Sequence, residues 1–211
     1  MAKIICLANS YKHQGRCVAG INIDTGEWVR PVPRKTAAIY NERFIDGIPS
    51  NEPNLQDLLE IPIGEQAPDH GCQPENRYLN TGTWKRVSQL PVSRINQYID
   101  NSLYLLHNQD NKVDPDIFTG MPRQNWKSLQ FIRVTNPCFG LNPWRKKRCI
   151  FSYSGISYEL KVTDPAIIGK IENGQAISQD CLLTISMTTP FKSPSYDKPY
   201  CWKMVAGVVE L

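Results

Sequence analysis

Short apolar runs separated by turn residues dominate the pattern of this chain. Residues 4–8 and 17–23 are two such runs, with a polar, basic segment between them. A turn at residues 24–26 precedes a third run, so the pattern predicts a strand, a basic loop and a hairpin. On the third strand, the period of two places Trp28 and Arg30 on one face, where they could stack on flat, anionic ligands.

The second half of the chain shows a more regular order of elements. Polar and apolar residues alternate on both sides of Ser154 and Gly155, which predicts a β-hairpin. Asp164 before Pro165 predicts the start of a short helix. The predicted elements are a strand at 130–134, a loop at 135–147, strands at 148–153 and 156–162, a helix ending at 171, and strands at 181–187 and 201–211. This is the element order of the OB-fold, a five-stranded Greek-key barrel.

Between these halves the pattern changes. Residues 59–63 alternate around Pro62 and predict a short edge strand, because proline cannot donate to a sheet. Apolar residues at three- and four-residue steps predict an amphipathic helix over 93–106. The chain is therefore predicted to be mainly β, with two tandem OB-like five-stranded β-barrels and a connecting helix. The predicted domains are a first barrel with the helix at 1–107, a proline-broken connector at 108–127, and a second barrel at 128–211.

The chain also resembles a bacterial family described as dual OB-fold domains. The resemblance covers nearly the whole chain and is carried by residues 3–9, by Ser10, Tyr11, Lys12 and His13, by residues 15–20, by Thr25, Gly26 and residues 28–32, and by Gln73, Pro74, Glu75 and Asn76. It implies two oligonucleotide-binding-type barrels and, by analogy of fold, a nucleic-acid or nucleotide ligand. It implies no established activity, since the motif is not a catalytic signature.

Composition narrows the class of protein. No apolar run approaches the roughly 20 residues that span a bilayer, and the first residues lack the features of a signal peptide. Seven scattered cysteines favour reduced thiols, so a cytoplasmic location without membrane contact is expected. Residues 1–127 carry 14 basic and 14 acidic side chains, whereas residues 128–211 carry 10 basic and 6 acidic. The excess positive charge therefore lies in the second predicted barrel.

Two predicted loops of the second barrel combine aromatic and cationic residues. Such loops suit single-stranded nucleic acid, because cations neutralise phosphates while rings stack on bases. The basic loop and third strand of the first half have the same character. The candidate nucleic-acid-binding residues are Tyr11, Lys12, His13, Arg16, Trp28, Arg30, Trp144, Arg145, Lys146, Lys147, Phe191, Lys192, Tyr196 and Lys198.

Each candidate also has a structural interpretation. Trp144 could anchor its loop, and Trp28 could pack in a barrel core. A face that buries Trp28 would rarely bury an unpaired guanidinium, so Arg30 favours an exposed groove. Glu75 and Asn76 could bind a ligand or satisfy backbone groups.

Catalytic motifs are absent from the sequence. The chain has no G-x-S-x-G, H-E-x-x-H or zinc-deaminase pattern, and no complete phosphate-binding loop. The sequence therefore favours a non-catalytic protein, expected to need no metal or organic cofactor, that binds single-stranded RNA or DNA or a nucleotide. The alternative is a protein-interaction module in a larger bacterial defence or nucleic-acid-processing assembly. A weaker alternative is a hydrolase or nuclease built from scattered carboxylates.

Overall fold

The computed structural model describes residues 1–12, 15–34, 45–46 and 52–211. The chain forms two compact units. The first contains Met1–Pro68 and Glu75–Tyr98, and the second contains Asp69–Pro74 and Ile99–Leu211. The predicted connector at 108–127 therefore falls inside the second unit, to which the short segment Asp69–Pro74 also belongs.

Strands make up most of the described part of the first unit. They are β1 (Ala2–Lys12), β2 (Gly15–Asn22), β3 (Trp28–Val32), β4 (Ile45–Asp46), β5 (Asp57–Ile61), β6 (Ile63–Gln66), β7 (Asn76–Leu79) and β8 (Trp84–Gln89), followed by the helical turn α1 (Val92–Ile95) and a 3₁₀ turn at Asn96–Tyr98. The strand order is β4-β8-β5-β1-β2-β3-β7-β6. β3 and β7 are parallel, whereas β1 is antiparallel to both β2 and β5.

A bend at Pro62 gives this sheet the strand order of a barrel. β5 and β6 are separated by Pro62 alone, and β5 pairs with β1 while β6 pairs with β7. The path β1-β2-β3-β7 thus returns to β1 through one bent strand. The predicted edge strand at 59–63 is wrong in this respect, because β5 has β1 on one side and β8 on the other. Pro62 is tolerated at the bend, where no N–H is needed.

The second unit has a corresponding strand order, which also closes through one bent strand. Its elements are β9 (Lys112–Val113), 3₁₀ turns at Pro115–Thr119 and Arg123–Asn125, β10 (Leu129–Thr135), β11 (Cys138–Leu141), β12 (Lys147–Tyr153), β13 (Ile156–Val162), α2 (Pro165–Glu172), β14 (Asp180–Met187) and β15 (Cys201–Glu210). The order is β10-β14-β15-β13-β12-β11, with β13 parallel to β15. β10 and β11 are separated only by Asn136 and Pro137, so the two ends of the path are one bent strand. The predicted OB-like order is confirmed.

The hairpin and the helix of this unit form as the sequence predicts. Ser154 and Gly155 have φ of 49° and 78°, as a two-residue hairpin turn requires. Asp164 caps α2, since its Oδ1 accepts hydrogen bonds from the N–H groups of Ala166 and Ile167. The other oxygen of Asp164 accepts from the Val208 N–H at 2.9 Å, which fixes the helix to β15.

The predicted amphipathic helix over 93–106 is much shorter in the structure. It ends as α1 at Ile95, with one further 3₁₀ turn. Beyond that point the Tyr153 hydroxyl donates to the carbonyl oxygens of Asp100 and Ser102, at 3.1 and 2.7 Å. Leu105 is then fully buried in the core of the second unit. The rest of the predicted helix is therefore an irregular segment held by tertiary contacts, although its apolar spacing is helical.

Each unit has its own apolar core. The core of the first unit contains Ile4, Val18, Leu59 and Trp84, and that of the second is larger and contains Leu105, Phe151 and Tyr158. None of the seven cysteines forms a disulfide, and five of them are buried. No helix in the described part of the chain is long and apolar enough to cross a membrane.

Candidate functional site

The predicted residues of the first loop are partly engaged with one another. Tyr11 and Arg16 face each other across β1 and β2, and the Arg16 guanidinium lies 4.2 Å from the centre of the Tyr11 ring. Arg16 also pairs with Glu52, with Nη2 at 2.6 Å from Oε2. This carboxylate compensates the charge that was predicted to meet a phosphate. His13 and the side chain of Lys12 lie outside the described residues.

The prediction that Arg30 projects into an exposed groove is wrong. Its Nη2 lies 2.9 Å from Glu75 Oε1, and the side chains of both residues are at most 5% exposed. The Arg30 N–H also donates to the Glu75 carbonyl at 3.0 Å. The buried guanidinium is thus paired with a carboxylate far away in sequence. Trp28 beside it is half-buried and lies opposite Ile21 on β2.

Residues 73–76 have structural contacts in the two units. Asn76 donates its side-chain amide to the Pro68 carbonyl at 2.9 Å in the first unit. Gln73 donates its amide to the Met187 carbonyl at 2.9 Å in the second unit. With Glu75 paired to Arg30, these polar groups satisfy partners within the fold, which is the structural interpretation that the sequence left open.

The loop between β14 and β15 holds two of its predicted residues in place. Lys198 pairs with Asp114 and with Asp116. The ring of Tyr196 packs edge-on against Trp202, with ring centres 5.0 Å apart. Lys112 places its ammonium 5.1 Å from the centre of the Tyr196 ring. The remaining two predicted residues of this loop, Phe191 and Lys192, are exposed.

The turn between β11 and β12 presents the other predicted residues. The predicted loop at 135–147 is shorter than expected, because β11 forms within it. The N–H groups of Trp144 and Lys146 donate to Asn142 Oδ1 at 3.1 and 2.9 Å, and Arg145 has a φ of 58°. This turn leaves Trp144 76% exposed at its tip.

A groove of about 270 Å³ lies beside this turn on the outer face of β11, β12 and β13. We call it the β11–β13 groove. Gly140 forms part of its floor, and a Cβ atom there would meet nothing within 4 Å. The missing side chain therefore leaves the groove open. The lining residues are Cys138, Gly140, Leu141, Asn142, Pro143, Trp144, Arg148, Ile150 and Glu159.

Cations surround this largely apolar groove. Arg145 and Lys146 lie in the turn, and exposed Lys161 lies opposite Arg148 across β12 and β13. Within the described ranges of the chain, none of Arg145, Lys146 and Lys161 forms an ion pair. Lys147, in contrast, lies 2.5 Å from Glu172. The groove thus combines an exposed indole with apolar side chains, and the three cations in its turn and on β13 have no carboxylate partner among the described residues.

Of the residues that line the groove, sequence reasoning named only Trp144 as a candidate; it missed the apolar Leu141 and Ile150, and also Lys161 on the neighbouring strand. Ile150 carried a readable signal, because it stands between Cys149 and Phe151 where alternation should place a polar residue on the outer face. It is 46% exposed on that face. The described residues contain no cluster of three or more histidine, cysteine or acidic side chains able to hold a metal ion.

Comparison with known proteins supports the fold. The family model for the dual OB-containing domain matches residues 2–208. Searches of curated proteins and of solved structures found no match.

Proposed function

The chain belongs to the dual OB-containing domain family, and we propose that it is a non-catalytic module that binds single-stranded nucleic acid or a nucleotide in the β11–β13 groove. OB-folds bind oligonucleotides on the face of their second and third strands and on the loop between strands one and two. In the second unit these strands are β12 and β13, and the loop is the Trp144 turn. The observation that carries the proposal is the groove of apolar and aromatic residues at this position.

The chemistry of the groove fits a base with its phosphates. The indole of Trp144 offers a stacking face, and Ile150 supplies an apolar floor. Arg145, Lys146 and Lys161 are the cations available to backbone phosphates. Neutralisation of three phosphates on a single strand gives a slope of about −2 in log affinity against log salt.

Removal of the indole is expected to weaken binding. One base stack is worth about 1–3 kcal/mol, so Trp144→Ala should lower oligonucleotide affinity by about 5- to 150-fold. The measurement is fluorescence anisotropy with short labelled RNA and DNA strands at two ionic strengths. Tyr104→Ala, which removes an exposed ring of the same unit that does not line the groove, is the matched control and should bind as the unaltered protein does. Equal losses in both variants, or a flat salt slope, would count against the proposal.

A protein-interaction module is the second candidate. Leu141, Trp144 and Ile150 are all exposed and adjoin one groove, as in the apolar centre of an interface. The partner would be part of a bacterial defence or nucleic-acid-processing assembly. Charge reversal at Arg145 and Lys146 distinguishes the two candidates, because it should abolish oligonucleotide binding if nucleic acid is the ligand and should abolish pull-down of a specific protein if the ligand is a protein.

A further inference from the structure

The β11–β13 groove contains one carboxylate, that of Glu159. Its side chain is 47% exposed, and Arg148 Nε lies 3.4 Å from its Oε1. Within the residues that the structure describes, no hydrogen bond reaches either oxygen of this carboxylate. Glu159 therefore keeps hydrogen-bond acceptor capacity in the groove that it lines.

A carboxylate at this position would repel a phosphate, so its role in a nucleic-acid site must involve another part of the nucleotide. The residues around Glu159 indicate which part of the nucleotide it would contact. Glu159 is paired in register with Ile150 on β12, and Ile150 with Cys138 on β11. Ile150 and Cys138 form an apolar part of the groove that Trp144 also lines, where a stacked ring would lie. An ionised carboxylate accepts hydrogen bonds and donates none.

We infer that the β11–β13 groove prefers guanine, with the Glu159 carboxylate accepting hydrogen bonds from the N1–H and N2–H groups of the stacked base. This inference rests on the proposed function. Guanine presents two adjacent donors on its Watson–Crick edge, which match the two oxygens of a carboxylate. Adenine, cytosine and uracil each present donors from only one group there. Arg148 restrains the carboxylate without occupying both oxygens.

The test uses the full chain and a set of single strands that differ at one central base. By analogy with other bidentate base contacts, a guanine strand should bind about 5- to 150-fold more tightly than an adenine strand. Replacement of guanine by inosine, which lacks the N2 amino group, should remove much of this preference. Glu159→Gln retains the shape of the side chain but replaces one acceptor by a donor, so it should bring guanine and adenine strands to similar affinities.

Glu172→Gln is the matched control, since Glu172 pairs with Lys147 and does not line the groove. It should retain the guanine preference. Tight binding of all four bases without preference would overturn the inference and leave the proposed function intact. A guanine preference that persists in Glu159→Gln would also overturn it. Failure of every strand to bind would overturn both the inference and the proposed function.

Discussion

Glu75→Gln is expected to lower the free energy of unfolding of the first unit by about 3–5 kcal/mol, because it leaves the buried Arg30 guanidinium without its carboxylate. Both side chains lie in the interior, at 4% and 5% exposure. There the remaining charge cannot be solvated by water. Removal of one partner from such a pair therefore costs more than the pair itself contributes.

Urea-induced unfolding measures this effect, and the chain offers a matched control. Arg34 and Glu65 also form an ion pair, but their side chains are 50% and 61% exposed. Glu65→Gln should leave the unfolding midpoint nearly unchanged, because solvent screens an exposed ion pair. Small and equal losses for the two glutamine variants would contradict a structural role for the Arg30–Glu75 pair.

The second large effect concerns a buried amine in the second unit. Lys203 is 3% exposed, and its Nζ donates to the carbonyl and side-chain oxygens of Asn108 at 2.7 and 2.8 Å. The same Nζ lies 5.5 Å from the centre of the Tyr158 ring. Burial disfavours the charged form and lowers the pKa of Lys203 from 10.5 to about 7.

This pKa shift makes stability depend on pH. Between pH 7 and 10.5 the unfolded chain holds a proton on Lys203 that the folded chain has released, so stability rises with pH. Across pH 7.5 to 8.5 the free energy of unfolding should increase by about 1 kcal/mol. As pH falls through 7 the folded amine also becomes protonated. The contribution of Lys203 to the free energy of unfolding then stops changing with pH.

Chemical denaturation at a series of pH values tests the prediction. Lys203→Met removes the titrating group and should flatten the rise between pH 7.5 and 8.5, whatever its effect on absolute stability. A flat profile in the unaltered protein would show that Lys203 keeps an ordinary pKa. An unchanged rise in Lys203→Met would assign the pH dependence to another group.

The parts of the fold set by local sequence could be predicted. The hairpin at Ser154, the cap at Asp164 and the alternation along β13 depend on neighbouring residues, and the structure has each of them. The helix over 93–106 could not be excluded from sequence. Its apolar spacing is helical, yet Tyr153 binds the carbonyl groups of that segment.

The candidate site was predictable in composition but not in charge. Sequence identifies aromatic and basic loops, whereas only the structure shows which cations have acidic partners. Glu75 is 45 residues from Arg30, and Asp114 is 84 residues from Lys198. Such distant pairs leave no local pattern. They remove Arg30 and Lys198 from the set of available cations, whereas Arg145 and Lys146 form no ion pair within the described part of the chain.

The measurement that tests the β11–β13 groove most directly is oligonucleotide affinity in Gly140→Ile. A Cβ atom at residue 140 would meet nothing within 4 Å. Replacement of a strand glycine also removes a cost of about 0.5–1 kcal/mol relative to alanine, so the fold should be retained. Ser152→Ile, at an exposed position of β12 outside the groove, controls for the added isoleucine. We expect an affinity loss of about 10-fold or more, equivalent to roughly 1.4 kcal/mol, in Gly140→Ile alone. Affinity in Gly140→Ile equal to that of the unaltered protein would contradict the assignment of the groove as the binding site.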